Sequence, residues 1–326
     1  MKKLSLILVL VLLCGMFSVA HAEWKPEAPI TIMNYVKSGG GMDVATRKFS
    51  EIAAKYTDAT IVVDNKTGAG GLIAAEYVLG QPADGYTVFA TTISYVDSVL
   101  WGSEDIDEYI FGFEWIDNIM ADPYAIMVAK DSNVTLADLA ADKDGQIWCG
   151  PSAGGAKHIV ALQFWSKLGI EGATFVPYTS GPDALLAVMQ GQGVATVGNP
   201  GDVEGRELKH LVIATKEKLA TYPDAANFAD LGYPELDNLS MWRGYAVKKG
   251  TPAEFITWWQ DLCQKVTEDP EWIDFFAKKS IVVSNETTED FTARLKQDMI
   301  DHVQIMVAAE GVDQEYADAV IDACSK

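Results

Sequence analysis

Residues 30–43, ITIMNYVKSGGGMD, constrain what this chain can fold into more than any other stretch. Ile30 to Asn34 is a short apolar strand, and Gly39, Gly40 and Gly41 follow it. Val44, Ala45, Phe49, Ile52 and Ala53 then recur at helical spacing, with Asp43 placed as the helix cap. Glycines let a backbone approach a ligand with no Cβ in the way. A helix start offers unpaired N–H groups and a dipole worth about 0.3–1 kcal/mol towards an anion. The junction reads either as a small anion site or as a tight strand-to-helix turn with only a packing role.

The same alternation continues. Ile61–Val63 leads into DNKTGAGG and a helix over Leu72–Leu79, and a Pro-Ala-Asp-Gly turn precedes a strand, Tyr86–Ala90. That strand ends in Thr91 and Thr92, with Ser94 just beyond. Strands alternating with helices imply a mostly parallel sheet covered on both faces, with ligands bound beyond the strands' carboxyl ends. Trp115–Ala129 is two apolar runs split by Asp122-Pro123, read as the exit from a first domain. Thr135 with Asp138 caps the next helix. Gln146–Cys149 then runs into GPSAGGAKH (150–158) and a helix over Ile159–Leu168, repeating the opening junction.

Strand, Gly-Pro turn and helix recur over 173–192. Val194–Pro200 is a strand with Asn199 at its end, Leu211–Ala214 is another, and Met241–Pro252 is a second crossing. The remainder is helical: Thr251–Glu254 resembles a capping box, and Phe255, Trp258, Trp259 and Leu262 form an apolar face. Trp272 is read as core, and Ile281–Val283 as an edge strand. Two crossings divide the chain into one domain of 23–123 with 247–326 and a second of 124–246.

Residues 1–22 read as an export signal: Lys2 and Lys3, an apolar run over Leu4–Leu13, and a cleavage site at Ala20–Ala22. Cys14 follows Leu13 rather than a small residue, which argues against a lipid anchor. Removing Lys2 and Lys3 takes the formal charge from −21 to −23. Such acidity argues against nucleic acid and anionic membrane as partners, and requires an anion site to work through local dipoles. Cys149, Cys263 and Cys324 remain; an oxidising compartment allows a Cys263–Cys324 disulfide or none. Cys149 reads as a buried small residue. The histidines are scattered and no cysteine pair has ligand spacing, so no metal site is expected, and no cofactor is expected either.

Six ordered stretches resemble the tripartite tricarboxylate transporter substrate-binding proteins, the Bug family: PITIMNYVKSGGGMDVATR, DNKTGAGGLIAAEYV, PADGYTVFATT, GPSAGGAKH, VPYTSGPDALLAVMQGQ and WRGYAVKKGTP. The resemblance implies a type II periplasmic binding protein fold, two α/β domains joined by two crossing strands with a ligand cleft between them. It implies a periplasmic, monomeric, non-catalytic protein that delivers a small di- or tricarboxylate to membrane permease subunits. Carried over by position, the first ligand loop is Tyr35 and Ser38, Gly39, Gly40, Gly41 and Asp43. The second is Ser152, Ala153, Gly154 and Gly155 with His158. Thr91, Thr92, Ser94, Thr179, Ser180 and Asn199 line the cleft. Lys37 and Lys157 depart from the family pattern and either add charge-assisted bonds or point to solvent. Arg243, on the return crossing, either grips a carboxylate or forms an interdomain salt bridge.

A rival reading is a secreted esterase. Gly150–Gly154 satisfies the G-x-S-x-G nucleophile elbow around Ser152. Its triad would need a later histidine, and only His158, His210 and His302 follow. No P-loop occurs, and GAGGLI lacks the third glycine of a dinucleotide fingerprint.

Overall fold

The computed structural model describes residues 24–142 and 145–326. The export-signal reading, with its cleavage site, lies outside the described residues.

The chain opens β1 (Ile30–Asn34), α1 (Gly41–Ala53), β2 (Ile61–Asn65), α2 (Leu72–Leu79), β3 (Thr87–Thr92) and α3 (Ile93–Trp101). A short α4 (Ile106–Tyr109) leads to β4 (Phe113–Pro123), which passes directly to β5 (Ala125–Ala129). Then come α5 (Leu136–Ala141), β6 (Ile147–Pro151), α6 (Ala156–Leu168), β7 (Thr174–Tyr178), α7 (Gly181–Met189), β8 (Ala195–Gly198) and β9 (Leu208–Ile213). The chain returns through β10 (Ser240–Lys248) and closes with α8 (Ala253–Thr267), α9 (Pro270–Ala277), β11 (Val282–Glu286), α10 (Thr288–Ala308) and α11 (Gln314–Cys324).

Two sheets result, ordered β11-β4-β10-β3-β1-β2 and β7-β6-β8-β5-β9. Both are mixed rather than mostly parallel, because of the crossings. β10 runs antiparallel between β3 and β4, and β5 runs antiparallel between β8 and β9. β11 takes an edge against β4. β10 pairs with β4 from Ser240 opposite Pro123 to Lys248 opposite Phe113, so the return strand lies wholly in the first sheet. The passage between sheets falls at Tyr124 and Leu239, where Tyr124 N donates to the Leu239 carbonyl at 3.2 Å.

Ile30, Ile32, Phe49, Trp259 and Trp272 fill one side of the first sheet. Its other side shares a continuous core with the second sheet through Phe89, Val96, Trp148, Phe164 and Val197. Leu185, Val188 and Cys149 close the outer side of the second. Trp258 is half-buried at the rim, beside Trp24. All three described cysteines are buried free thiols. Cys263 and Cys324 belong to different core clusters, so the permitted disulfide does not form.

Two expected caps differ. Gly40, extended, occupies the N-cap of α1, and Asp43 sits on the third helical residue. Thr251 gives its hydroxyl to the Lys248 carbonyl at 2.7 Å, leaving Pro252 to start α8. Thr135 and Asp138 form the expected capping box.

Candidate functional site

A cavity of about 370 Å³ opens between the carboxyl ends of the two sheets. The first sheet's side supplies Tyr35, Val36, Gly41, Met42, Thr92 and Ser94, the β4 and β10 residues Asp122, Met241 and Arg243, and Lys279 with Ile281. The second supplies Lys157 at the start of α6 and Asn199, Gly201, Asp202 and Glu204 after β8. A larger cavity lies away from it around Trp24, Trp258 and Lys265, on the outer face of α8.

Arg243 is the most constrained group here. Its Nη2 pairs with Asp122 Oδ2 at 2.5 Å, and both side chains are buried. A Cβ on Gly41 would overlap its Nη1 and fall 3.1 Å from Cζ, so the guanidinium fills the space that glycine leaves at the start of α1. Arg243 Nε and Asp122 Oδ1 are buried with no hydrogen-bond partner. Burial lifts the Asp122 carboxyl to about 6, against the pull of Arg243. On the opposite wall Lys157 holds Asp202 at 3.0 Å, and Asn199 N also donates to that carboxylate at 2.9 Å. Lys157 and that amide hold Asp202 below its ordinary pKa despite burial. Arg243 and Lys157, one on each wall, are thus each paired with a carboxylate.

Of the expected site residues, Tyr35, Gly41, Thr92, Ser94, Asn199 and Arg243 line this cavity. Tyr35 OH and Thr92 Oγ1 are 2.6 Å apart, and Thr92 caps α3 by accepting from Ser94 N. Asn199 Nδ2 donates to the Pro123 carbonyl at 3.0 Å, tying the second sheet's loop to the crossing strand. Ser38 and Gly39 form the exposed approach to α1, Gly40 is half-buried, and none of the three lines the cavity. Asp43 is turned away into the fold: its carboxylate accepts from Gly39 N, Arg47 Nε and Asn65 Nδ2. Buried Thr91 bonds its hydroxyl to the Thr92 carbonyl.

The second glycine loop is placed differently from expectation. Ser152 and Ala153 are exposed, while Gly154 and Gly155 pack on α3. Ala156 N donates to Ser94 Oγ at 3.3 Å, and the His158 ring lies 4.9 Å from Trp101 and 4.3 Å from Phe175. His158 Nδ1 accepts from Gly154 N, and burial pushes its pKa down to about 4. The loop thus docks one sheet's unit on the other at the cavity's flank. Thr179 and Ser180 hand their hydroxyls to Asp183, capping α7. Lys37 is exposed, whereas Lys157 reaches the cavity.

Sequence reasoning missed Asp122, Asp202, Glu204, Met241 and Lys279. Asp122 was legible as the polar break in an apolar run, and Met241 stands two residues before Arg243 on the same strand face. Asp202 lies on a single 3-10 turn after β8, and Glu204 and Lys279 lie on loops whose approach to the cleft no local pattern encodes.

The esterase reading finds no triad. Ser152 has the positive φ of an elbow, 53°. The described histidines bond elsewhere: His158 to Gly154, His210 to the Pro200 carbonyl, and His302 to Asp97. Among the described residues no group of three His, Cys, Asp or Glu is placed to hold a metal, and no helix is long and apolar enough to cross a membrane.

Two α/β units closed over a charged cavity at their strand ends define a solute-binding protein of the periplasmic binding protein type. Residues 45–312 match the model of the tripartite tricarboxylate transporter family receptor, TctC, and the chain belongs to that family. Its members are periplasmic substrate-binding proteins, not enzymes. The chain is 24% identical over 313 residues to a UPF0065 protein of Bordetella bronchiseptica, covering 94% of this chain and 92% of that one. The periplasmic binding protein BugD shares its fold with a TM-score of 0.73 at 20% identity, over 89% of this chain and 100% of that one. R. palustris Rpa4515, solved with adipate, gives 0.74 at 20% identity, over 90% and 98%.

Proposed function

We propose that the chain captures a small di- or tricarboxylate, such as citrate, a C4-dicarboxylate or an aromatic carboxylate, and delivers it to the permease subunits of a tripartite transporter. The observation that carries this reading is the buried Arg243 guanidinium, seated against Gly41 at the start of α1 and lining a cavity between the sheets. One carboxylate lies on Arg243 and the α1 amides. Ser94, Asn199 and Lys157 receive the other end, and the expected residues lining the cavity contact it. Adipate in the R. palustris relative supports a diacid of this size.

The protein works as a monomer in the periplasm after cleavage near Ala22. Its domains are 23–123 with 247–326 and 124–246; the pairing of β10 throughout the first sheet favours moving the second boundary back to residue 240. Closure buries the ligand, and the closed form is what the permease recognises. A micromolar Kd corresponds to about −8 kcal/mol, within reach of a charge-assisted anchor and several hydrogen bonds. A thermal-shift screen of the mature chain against mono-, di- and tricarboxylates and neutral sugars tests this. The reading expects stabilisation by acids alone and fails if only uncharged solutes stabilise.

A further inference from the structure

Taking the cavity between the sheets as the carboxylate site, as proposed above, we infer that Ser280 is its latch. Its contact with Thr221 closes the rim beside α9 and positions Lys279 and Ile281 on a bound solute.

Ser280 follows α9 in an uncommon conformation for a serine. Its φ is 60°, the left-handed state that glycine usually takes just past a helix end. Ser280 N donates to the Ala277 carbonyl at 3.0 Å and Ile281 N to that of Phe276 at 3.1 Å, the two bonds that end a helix around such a residue. Glycine would make this turn with less strain. The serine adds a hydroxyl, and that hydroxyl bonds to Thr221 Oγ1 of the second unit. Ser280 is buried and Thr221 exposed, so the contact lies at the rim with the serine on its inner side.

Thr221 is tied to the second sheet. Tyr222 beside it rests on the His210 ring at 4.6 Å, and His210 belongs to β9. A Cβ on Gly201, in the turn after β8, would lie 3.4 Å from the Lys279 carbonyl, so a second stretch of that unit abuts the same segment. Lys279 and Ile281, on either side of Ser280, line the cavity. The α3–α6 flank is built otherwise. There both units share one apolar core, with Val96 and Phe164 in it, and Gly154 packs on Trp101. A shared core resists separation far more than one hydroxyl pair does. The units therefore part at Ser280 and pivot about the α3–α6 flank, and the latch sets how long a solute is held.

The test is stopped-flow exchange of the tightest-binding acid among succinate, glutarate, adipate and citrate, in mature wild type, Ser280→Gly and Thr221→Val. Ser280→Gly suits the left-handed turn and removes the hydroxyl, so the fold should persist by circular dichroism. Dissociation should quicken at least about fivefold in each variant, and no further when the two are combined. A disulfide between Ser280→Cys and Thr221→Cys should slow binding and release at least about tenfold, and dithiothreitol should restore both. Wild-type dissociation in Ser280→Gly, a cysteine pair that fails to oxidise, or wild-type exchange in the cross-linked protein overturns the latch and leaves the carboxylate reading standing. If no acid binds the wild type, that reading fails and thiol labelling decides the latch alone. Ser280→Cys should then react with Ellman's reagent at least about tenfold faster than the buried native thiols, and reaction as slow as theirs overturns the latch.

Discussion

The indole of Trp101 fills the space that a side chain at Gly154 would need: a Cβ there would lie 2.5 Å from the Trp101 Cβ and closer still to the ring. Gly154 has a φ of 72°, and the same indole also excludes a side chain at Gly311. Trp101 ends α3 beside the first sheet, and Gly154 belongs to the second sheet's glycine loop. One aromatic ring from the first unit is thus seated on two glycines and on His158.

Gly154→Ala should therefore destabilise the chain by about 1–3 kcal/mol, from overlap and left-handed backbone strain together. Adding Trp101→Ala should recover the part of the overlap owed to the ring and leave the Cβ contact and the backbone strain, a partial positive coupling in a double-mutant cycle. Urea denaturation of the four proteins checks it. An unchanged midpoint for Gly154→Ala would show that the loop does not dock as described.

His302 and Asp97 form a buried pair at 2.6 Å, bridging α10 and α3. Burial works against the imidazolium, but Asp97, with Asp298 and Asp301, raises the pKa from 6.5 to about 9. The folded value exceeds the unfolded one, so this stabilisation is complete below about pH 6 and is lost as pH rises through about 9. The stability gap between wild type and His302→Gln, measured by chemical denaturation, should be widest near pH 6 and narrow by pH 10. A gap independent of pH would mean that the histidine is neutral in the fold.

Asp43 shows the opposite sign. Burial opposes its charge, yet Arg47, the Gly39 amide and Asn65 outweigh it and lower its pKa. Its contribution is present above its unfolded pKa and disappears as pH falls through the folded one. Asp43→Ala should cost about 1–3 kcal/mol at pH 7, since it removes the buried acceptor shared by Gly39 N, Arg47 and Asn65 and frees the loop before α1. The loss should shrink in acid. Equal losses at pH 7 and pH 3 would contradict the assignment.

Cys149, Cys263 and Cys324 are buried thiols in separate settings. The native mature protein should react slowly with Ellman's reagent, release three thiols on unfolding, and keep its melting temperature in dithiothreitol. A single reactive thiol after unfolding would instead indicate a disulfide.

Much of the architecture was readable because it is written locally. Helix starts at Thr135 and Leu72, the Asp122-Pro123 break and the edge strand at Ile281–Val283 each follow from a few neighbouring residues. The site was legible only where a strand end and a cavity wall coincide, as at Tyr35, Thr92 and Asn199. Arg243 left two fates open; the salt bridge it forms, to Asp122, joins two strands of the first sheet rather than two domains, and the rest of its guanidinium lies against Gly41. The second glycine loop looked like the first in sequence. What separates them is Trp101, some fifty residues away, which turns one loop from cavity wall into docking surface. Asp202 and Lys279 reach the cavity through loops, and their positions depend on how the two units close, which no periodicity records.

The central claim is that Arg243 holds a ligand carboxylate between the two sheets. Titration calorimetry of the mature wild type and Arg243→Met against succinate, glutarate, adipate and citrate tests it most directly. At least one acid should bind the wild type in the micromolar range and weaken by about a hundredfold or more in the variant, a loss of about 3 kcal/mol. Equal affinity in a folded Arg243→Met protein would contradict it.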